Sequence, residues 1–128
     1  MNKILIIDDD EELCEEISEI LVDEGFEIKA EHDGLKGLKR INTSQYALVL
    51  LDLKIPGMSG FEVLKTARAK YPRLKIIVLS GRPFNKEMLQ QHALEDHELN
   101  TLKLADEVIS KPYEIKTLLS KIHAILKL

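Results

Sequence analysis

An α/β protein whose parallel sheet is covered on both faces by helices is the fold class this sequence predicts. Three observations carry that expectation. Ile4-Leu5-Ile6-Ile7, Leu48-Val49-Leu50-Leu51 and Ile76-Ile77-Val78-Leu79 are short, apolar and β-branched, without the polar alternation of a strand wet on one side. Stretches of helical periodicity separate them, so strands and helices alternate. The 128 residues give room for one domain with one core.

The elements follow in order. The first strand ends at Ile7. Leu13, Ile17, Ile20 and Leu21 then mark one face of a helix. Asp10, Glu11 and Glu12 open it where negative charge suits the helix dipole, and Gly25 is placed to end it. Phe26 to Ala30 alternates as a second strand. Asp33-Gly34 marks a turn, and Leu35, Leu38 and Ile41 supply a short helical stripe. Tyr46 to Leu51 is the third strand. A loop with Pro56-Gly57 and Ser59-Gly60 leads to a helix through Phe61, Leu64 and Ala67, closed at Tyr71-Pro72. Leu74 to Leu79 is the fourth strand. From Phe84 to Leu104 no single helical stripe persists, so a helix, a break near Asp96-His97 and a second turn or helix are expected. Glu107 to Ser110 is the fifth strand. Ile115, Leu118, Leu119, Ile122 and Ile125 form a final amphipathic helix.

The 45% apolar and 31% charged content is that of an ordinary globular protein. No apolar stretch is long enough to cross a membrane, and Met1-Asn2-Lys3 leads directly into a strand. The single Cys14 can form no internal disulfide, so a cytoplasmic location is the default expectation. A net charge of −4 argues against bulk nucleic-acid binding. That charge is unevenly spread: Asp8 to Glu24 holds ten acids and no base, whereas Lys111, Lys116, Lys121 and Lys127 fall near the other end. Glu11, Glu15 and Glu19 stand in like-charge i, i+4 relation, which a basic docking partner would relieve or solvent would accommodate.

Polar residues follow the apolar runs: Asp8-Asp9, Asp52, Ser80, and Lys111-Pro112. In a parallel sheet these positions share one rim, the rim at which open α/β sheets bind ligands. Three carboxylates, a hydroxyl and an ammonium gathered there suit a divalent cation and a phosphoryl group. Each has a plainer reading alone, Asp8-Asp9-Asp10 as a helix cap and Ser80-Gly81 as a turn. Those readings do not explain why all four signals fall at strand ends.

Ile6-Ile7-Asp8-Asp9, Leu50 to Gly60 with its Asp52-Leu53-Lys54-Ile55-Pro56-Gly57, Leu79-Ser80-Gly81, and Ser110-Lys111-Pro112-Tyr113 together resemble the receiver domains of two-component response regulators. The resemblance covers almost the whole chain, and it implies one receiver domain over residues 1–128 with the flavodoxin-like strand order 2-1-3-4-5. No output segment is expected in the sequence given. It further implies that Asp52 is the phosphoacceptor. Asp9 and Asp52 would hold Mg2+ directly, Asp8 through water, and Lys54 through its backbone carbonyl. Lys111 would contact the phosphoryl oxygens, Ser80 would be the switch hydroxyl, and the Lys111-Pro112 peptide would be cis. The implied partners are a histidine kinase or histidine phosphotransfer protein and a downstream protein target, with no direct nucleic-acid contact and no membrane insertion. Such a domain accepts a phosphoryl group and is not expected to be an enzyme.

Departures from the family pattern narrow these expectations. The fifth-strand position three before the lysine, usually aromatic, is Val108, which puts the usual coupling to the hydroxyl in doubt and leaves the oligomeric state open. Tyr113 replaces the usual Phe and reads as a packing residue. The segment from Ser80 to Lys111 is longer than usual by roughly nine residues, about two and a half helical turns. That extended fourth-helix region is expected to reshape partner choice. Lys54 and Arg82, two residues beyond Asp52 and Ser80, are expected to tune phosphate lifetime by crowding the path of attacking water. His92, Asp96 and His97 read as a solvated face, since only His92 and Asp96 share a helical face and a structural metal site normally takes four ligands.

Two other classes account for part of the pattern. Asp8-x-Asp10 after a strand has the look of a haloacid-dehalogenase-like phosphatase, but Glu12 stands where those enzymes want Thr or Val, and Asp52 would have no role. A pseudo-receiver scaffold would not require the full acidic set with Ser80 and Lys111.

Overall fold

The computed structural model describes residues 2–81 and 96–127, with the backbone alone at positions 96, 97 and 99. Five parallel strands form one sheet in the order β2-β1-β3-β4-β5. These are β1 (Lys3–Ile7), β2 (Glu27–Glu31), β3 (Leu48–Asp52), β4 (Lys75–Ser80) and β5 (Glu107–Ser110). The helices are α1 (Glu11–Asp23), α2 (Gly34–Thr43), α3 (Gly60–Lys70), α4 (Asp96–Leu102) and α5 (Ile115–Leu126).

Alternate residues of the central strands feed two cores. Ile4, Ile6, Leu48, Leu50, Ile77 and Leu79 pack with Cys14, Ile17 and Leu21 of α1 and Leu118 and Ile122 of α5. Leu5, Ile7, Val49, Leu51, Ile76 and Val78 pack with α2, α3 and Leu102 of α4. The absence of polar alternation in the sequence thus has its cause in burial on both faces.

Some stripes differ from those expected. On α1 the fully buried positions are Cys14, Ile17 and Leu21, whereas Leu13 and Ile20 are only partly buried. The helix is rotated enough to turn the small thiol inward. On α2, Leu35 is 47% exposed and Gly34 and Gly37 are buried instead. A Cβ on Gly34 would lie 1.9 Å from the Met58 carbonyl oxygen, so the missing side chain lets the β3–α3 loop cross the start of α2. Gly57, at φ 75°, turns that loop where another residue would be strained.

The helix α4 runs from Asp96 through Leu102, and the residues before it, on which the expected break near Asp96-His97 also depends, lie outside the described residues. The first part of the expected extension, residues 84–95, lies outside the described residues, as do Arg82 and His92. No helix among the described residues is long and apolar enough to cross a membrane.

Beyond Leu102 the chain is tied back to the sheet. Arg68 of α3 donates from Nε to the Leu104 carbonyl (2.9 Å) and from Nη1 to the carbonyls of Pro72 (2.9 Å) and Leu74 (2.6 Å). Its Nη2 meets Asp106 Oδ2 at 2.9 Å, and the same carboxylate oxygen accepts from Ile76 N at 2.8 Å. Asp106 N in turn donates to Ile76 O at 2.8 Å.

Candidate functional site

The strand registers place the site. Ile7 lies opposite Leu51 and Glu31, so Asp8 emerges between Asp52 on β3 and His32 just past β2. Ser80 pairs with Ser110, which puts Lys111 one step further along the same rim. Asp8, Asp52 and Ser80 are the buried polar residues among the described ones, at 0%, 5% and 2% exposure.

Asp8, Asp9 and Asp52 bring a carboxylate oxygen each within 4.8 Å of one another. Lys111 reaches into this group, its Nζ 2.8 Å from Asp8 Oδ2 and 3.5 Å from Asp52 Oδ2. Asp8 Oδ1 accepts from Asp10 N at 3.0 Å, and Asp52 Oδ1 accepts from Lys54 N at 3.2 Å. Burial, then the neighbouring Asp8 charge, pushes the Asp52 carboxyl up to about 6, although Lys111 and the Lys54 amide pull against them. Burial disfavours the Lys111 ammonium, yet its hydrogen bond and attraction to Asp8, with Asp52 behind, hold its pKa above the ordinary lysine value.

The structure brings Asp8, Asp9, Asp52, Lys111 and Ser80 to one rim and leaves Asp10 out. Asp10 caps α1, its Oδ1 accepting from Leu13 N at 3.1 Å, so the Asp8-x-Asp10 pair does not act as two facing acids. Lys54 is exposed and contributes its amide to Asp52. The Lys111-Pro112 peptide is cis. The Tyr113 hydroxyl is buried without a hydrogen-bond partner among the described residues, and burial raises its pKa well above the ordinary tyrosine range.

Two residues at this rim were not anticipated. His32 Nδ1 lies 2.8 Å from the Asp8 backbone carbonyl oxygen, and Cys14 Sγ lies 3.5 Å from the same atom. The second strand runs to Glu31, one residue beyond the Ala30 expected from the sequence, so that His32 and not Glu31 is the residue that follows it. Nothing in the sequence marks Cys14 beyond its place on the inner helix face.

Residues 4–123 match the family model of the response regulator receiver domain. The chain belongs to that family. It is 35% identical over 127 residues to the transcriptional regulatory protein CpxR homolog of Haemophilus influenzae, covering 99% of this chain and 51% of the relative. The chain thus spans about half the length of the curated relatives it matches. Among solved structures, a CheY-like receiver domain protein of Methanospirillum hungatei superposes with a TM-score of 0.84 at 31% identity, over 99% of this chain and 94% of that one. The response regulator TrrA of Thermotoga maritima, solved in complex with Mg(2+)-BeF, superposes with a TM-score of 0.80 at 30% identity, over 98% of this chain and 99% of that one. TrrA has also been solved in complex with the histidine kinase ThkA. This receiver domain therefore has the five-stranded 2-1-3-4-5 sheet that its sequence resemblance implied.

Proposed function

We propose that this receiver accepts a phosphoryl group on Asp52, with Mg2+ held by Asp8, Asp9 and Asp52. The observation that carries the reading is the convergence of three carboxylates and one ammonium at the end of β3. The donor set fits the ion: Mg2+ takes hard oxygen ligands and is often held by one or two carboxylates. Asp9 and Asp52 are assigned direct contact, Asp8 contact through water, and the Lys54 carbonyl a further ligand. When bound, Mg2+ neutralises charge on the carboxylates and on the phosphoryl oxygens.

The chain's own groups do the rest. An Asp52 carboxylate oxygen attacks phosphorus, the phosphorus–nitrogen bond to a phosphohistidine breaks, and the imidazole nitrogen leaves with that electron pair. The Lys54 amide holds Asp52 Oδ1, so the nucleophile is oriented before the donor arrives. Lys111 moves from the carboxylates to the phosphoryl oxygens, where charge is spread in the transition state. Ser80, at the end of β4, serves as the switch hydroxyl that bonds the new phosphate. Phosphorylation then shifts an existing equilibrium between arrangements of the rim. The domain is a phosphoacceptor and not an enzyme. A cytoplasmic histidine kinase or histidine phosphotransfer protein is the donor, and output runs through a protein target, without direct nucleic-acid contact by this domain.

Incubation with Mg2+ and acetyl phosphate, read by intact mass, tests this. A phosphate-sized gain that Asp52→Ala abolishes is expected. Folded protein that gains no mass from acetyl phosphate or from a phosphohistidine donor would overturn it.

A further inference from the structure

We propose that His32 is a positioning residue for the acidic site, acting through the Asp8–Asp9 peptide. The inference rests on the Mg2+ reading above and deepens it. The Asp8 N–H makes the last rung between β1 and β2, donating to Glu31 O at 3.1 Å. The carbonyl of the same residue is instead bonded by side chains: His32 Nδ1 at 2.8 Å and Cys14 Sγ at 3.5 Å. A carbonyl oxygen only accepts, so His32 carries its proton on Nδ1. His32 makes the short bond to this oxygen, and Cys14 Sγ lies close to both, 4.0 Å from His32 Nδ1.

That oxygen belongs to the peptide joining Asp8 to Asp9, and a peptide unit is planar. Fixing its carbonyl fixes the direction in which the backbone enters both residues. Both carboxylates are members of the cluster with Asp52. His32 thereby orients two of the three acids without touching either side chain. The ring is only partly buried and lines an open cleft with Glu11, Glu15, Ser18 and Glu19, so packing alone does not account for it. The device resembles the outer hydrogen bonds that orient metal ligands elsewhere, whose loss weakens metal affinity by roughly ten- to a hundredfold.

Calorimetric titration of the full chain with Mg2+ tests this, using wild type, His32→Phe and His32→Asn. Phe keeps a ring and removes the donor; Asn keeps a donor near the Nδ1 position. His32→Phe is expected to weaken Mg2+ binding by roughly tenfold, and His32→Asn to restore most of it. Equal affinity in wild type and His32→Phe would overturn the proposal while leaving the Mg2+ reading intact. Equal weakening in both variants would assign His32 to packing. Wild type that binds no Mg2+ would remove the reading itself. Should His32→Phe not fold, imidazole 15N shifts of wild type decide: an Nδ1–H tautomer that responds to Mg2+ supports the role, and an Nε2–H tautomer overturns it.

Discussion

Lys111 sits 2.8 Å from Asp8 but 3.5 Å from Asp52, so the ammonium is bonded to the wholly buried acid and only leans on the other. It is a cation already resident among carboxylates. Lys111→Met is therefore expected to tighten Mg2+ binding by roughly three- to tenfold, because a competing charge is gone. The same variant should slow phosphorylation by roughly a hundredfold, because a donor to the phosphoryl oxygens is gone too. Mg2+ titration and mass-detected phosphorylation check the opposite signs.

The raised Asp52 pKa sets a pH dependence. Ionised Asp52 costs the fold stability fully above its folded value of about 6, and the cost disappears as pH falls to the unfolded value of 3.8. Asp52→Asn should thus raise stability in Mg2+-free buffer at pH 8 by about 1–3 kcal/mol. Urea melts should show the gap narrowing below pH 6 and closing near pH 4.

Gly34→Ala drives a methyl group into the Met58 carbonyl, a backbone atom that cannot turn aside. A destabilisation of about 1–3 kcal/mol is expected. The displaced loop begins beside Lys54, so phosphorylation should slow as well. Chemical denaturation and the acetyl phosphate assay measure the two effects.

Arg68 spends three nitrogens on three carbonyls and Asp106. Arg68→Ala leaves those acceptors short of donors and should cost about 1–3 kcal/mol. A cycle with Asp106→Ala should show coupling between the two, because the carboxylate also takes the Ile76 amide.

Lys54→Asn keeps the backbone amide on Asp52 and shortens the exposed side chain beside it. A shorter lifetime of the phosphorylated form is expected, followed as loss of the phosphate mass with time. An unchanged decay rate would remove the role assigned to the long side chain.

The strands were legible because burial on both faces leaves runs such as Leu48 to Leu51 with no polar residue. The rim was legible because parallel strands deliver the residues that follow them to one side, as Asp8, Asp52 and Lys111 show. The helix faces were less so. Leu35 is apolar yet exposed, while Gly34 and Gly37 are buried because the Met58 carbonyl and Ile7 approach too closely for a side chain. Hydrophobicity does not report such close approach. His32 escaped notice because its partner is a backbone carbonyl, which no side-chain pattern encodes.

The Arg68–Asp106 clamp has a consequence for how such a chain varies. Asp106 N is bonded to Ile76 O, and at the other end of β5 Lys111 N is bonded to Ser80 O. The crossover from β4 thus leaves from one fixed post and returns to another, and β5 keeps its rungs whatever length of chain is paid out between. Loop length adds only slowly to the entropy of closure. Residues can accumulate in that crossover over evolutionary time without shifting Lys111, so the length of the connection is free to vary while the pocket stays in register.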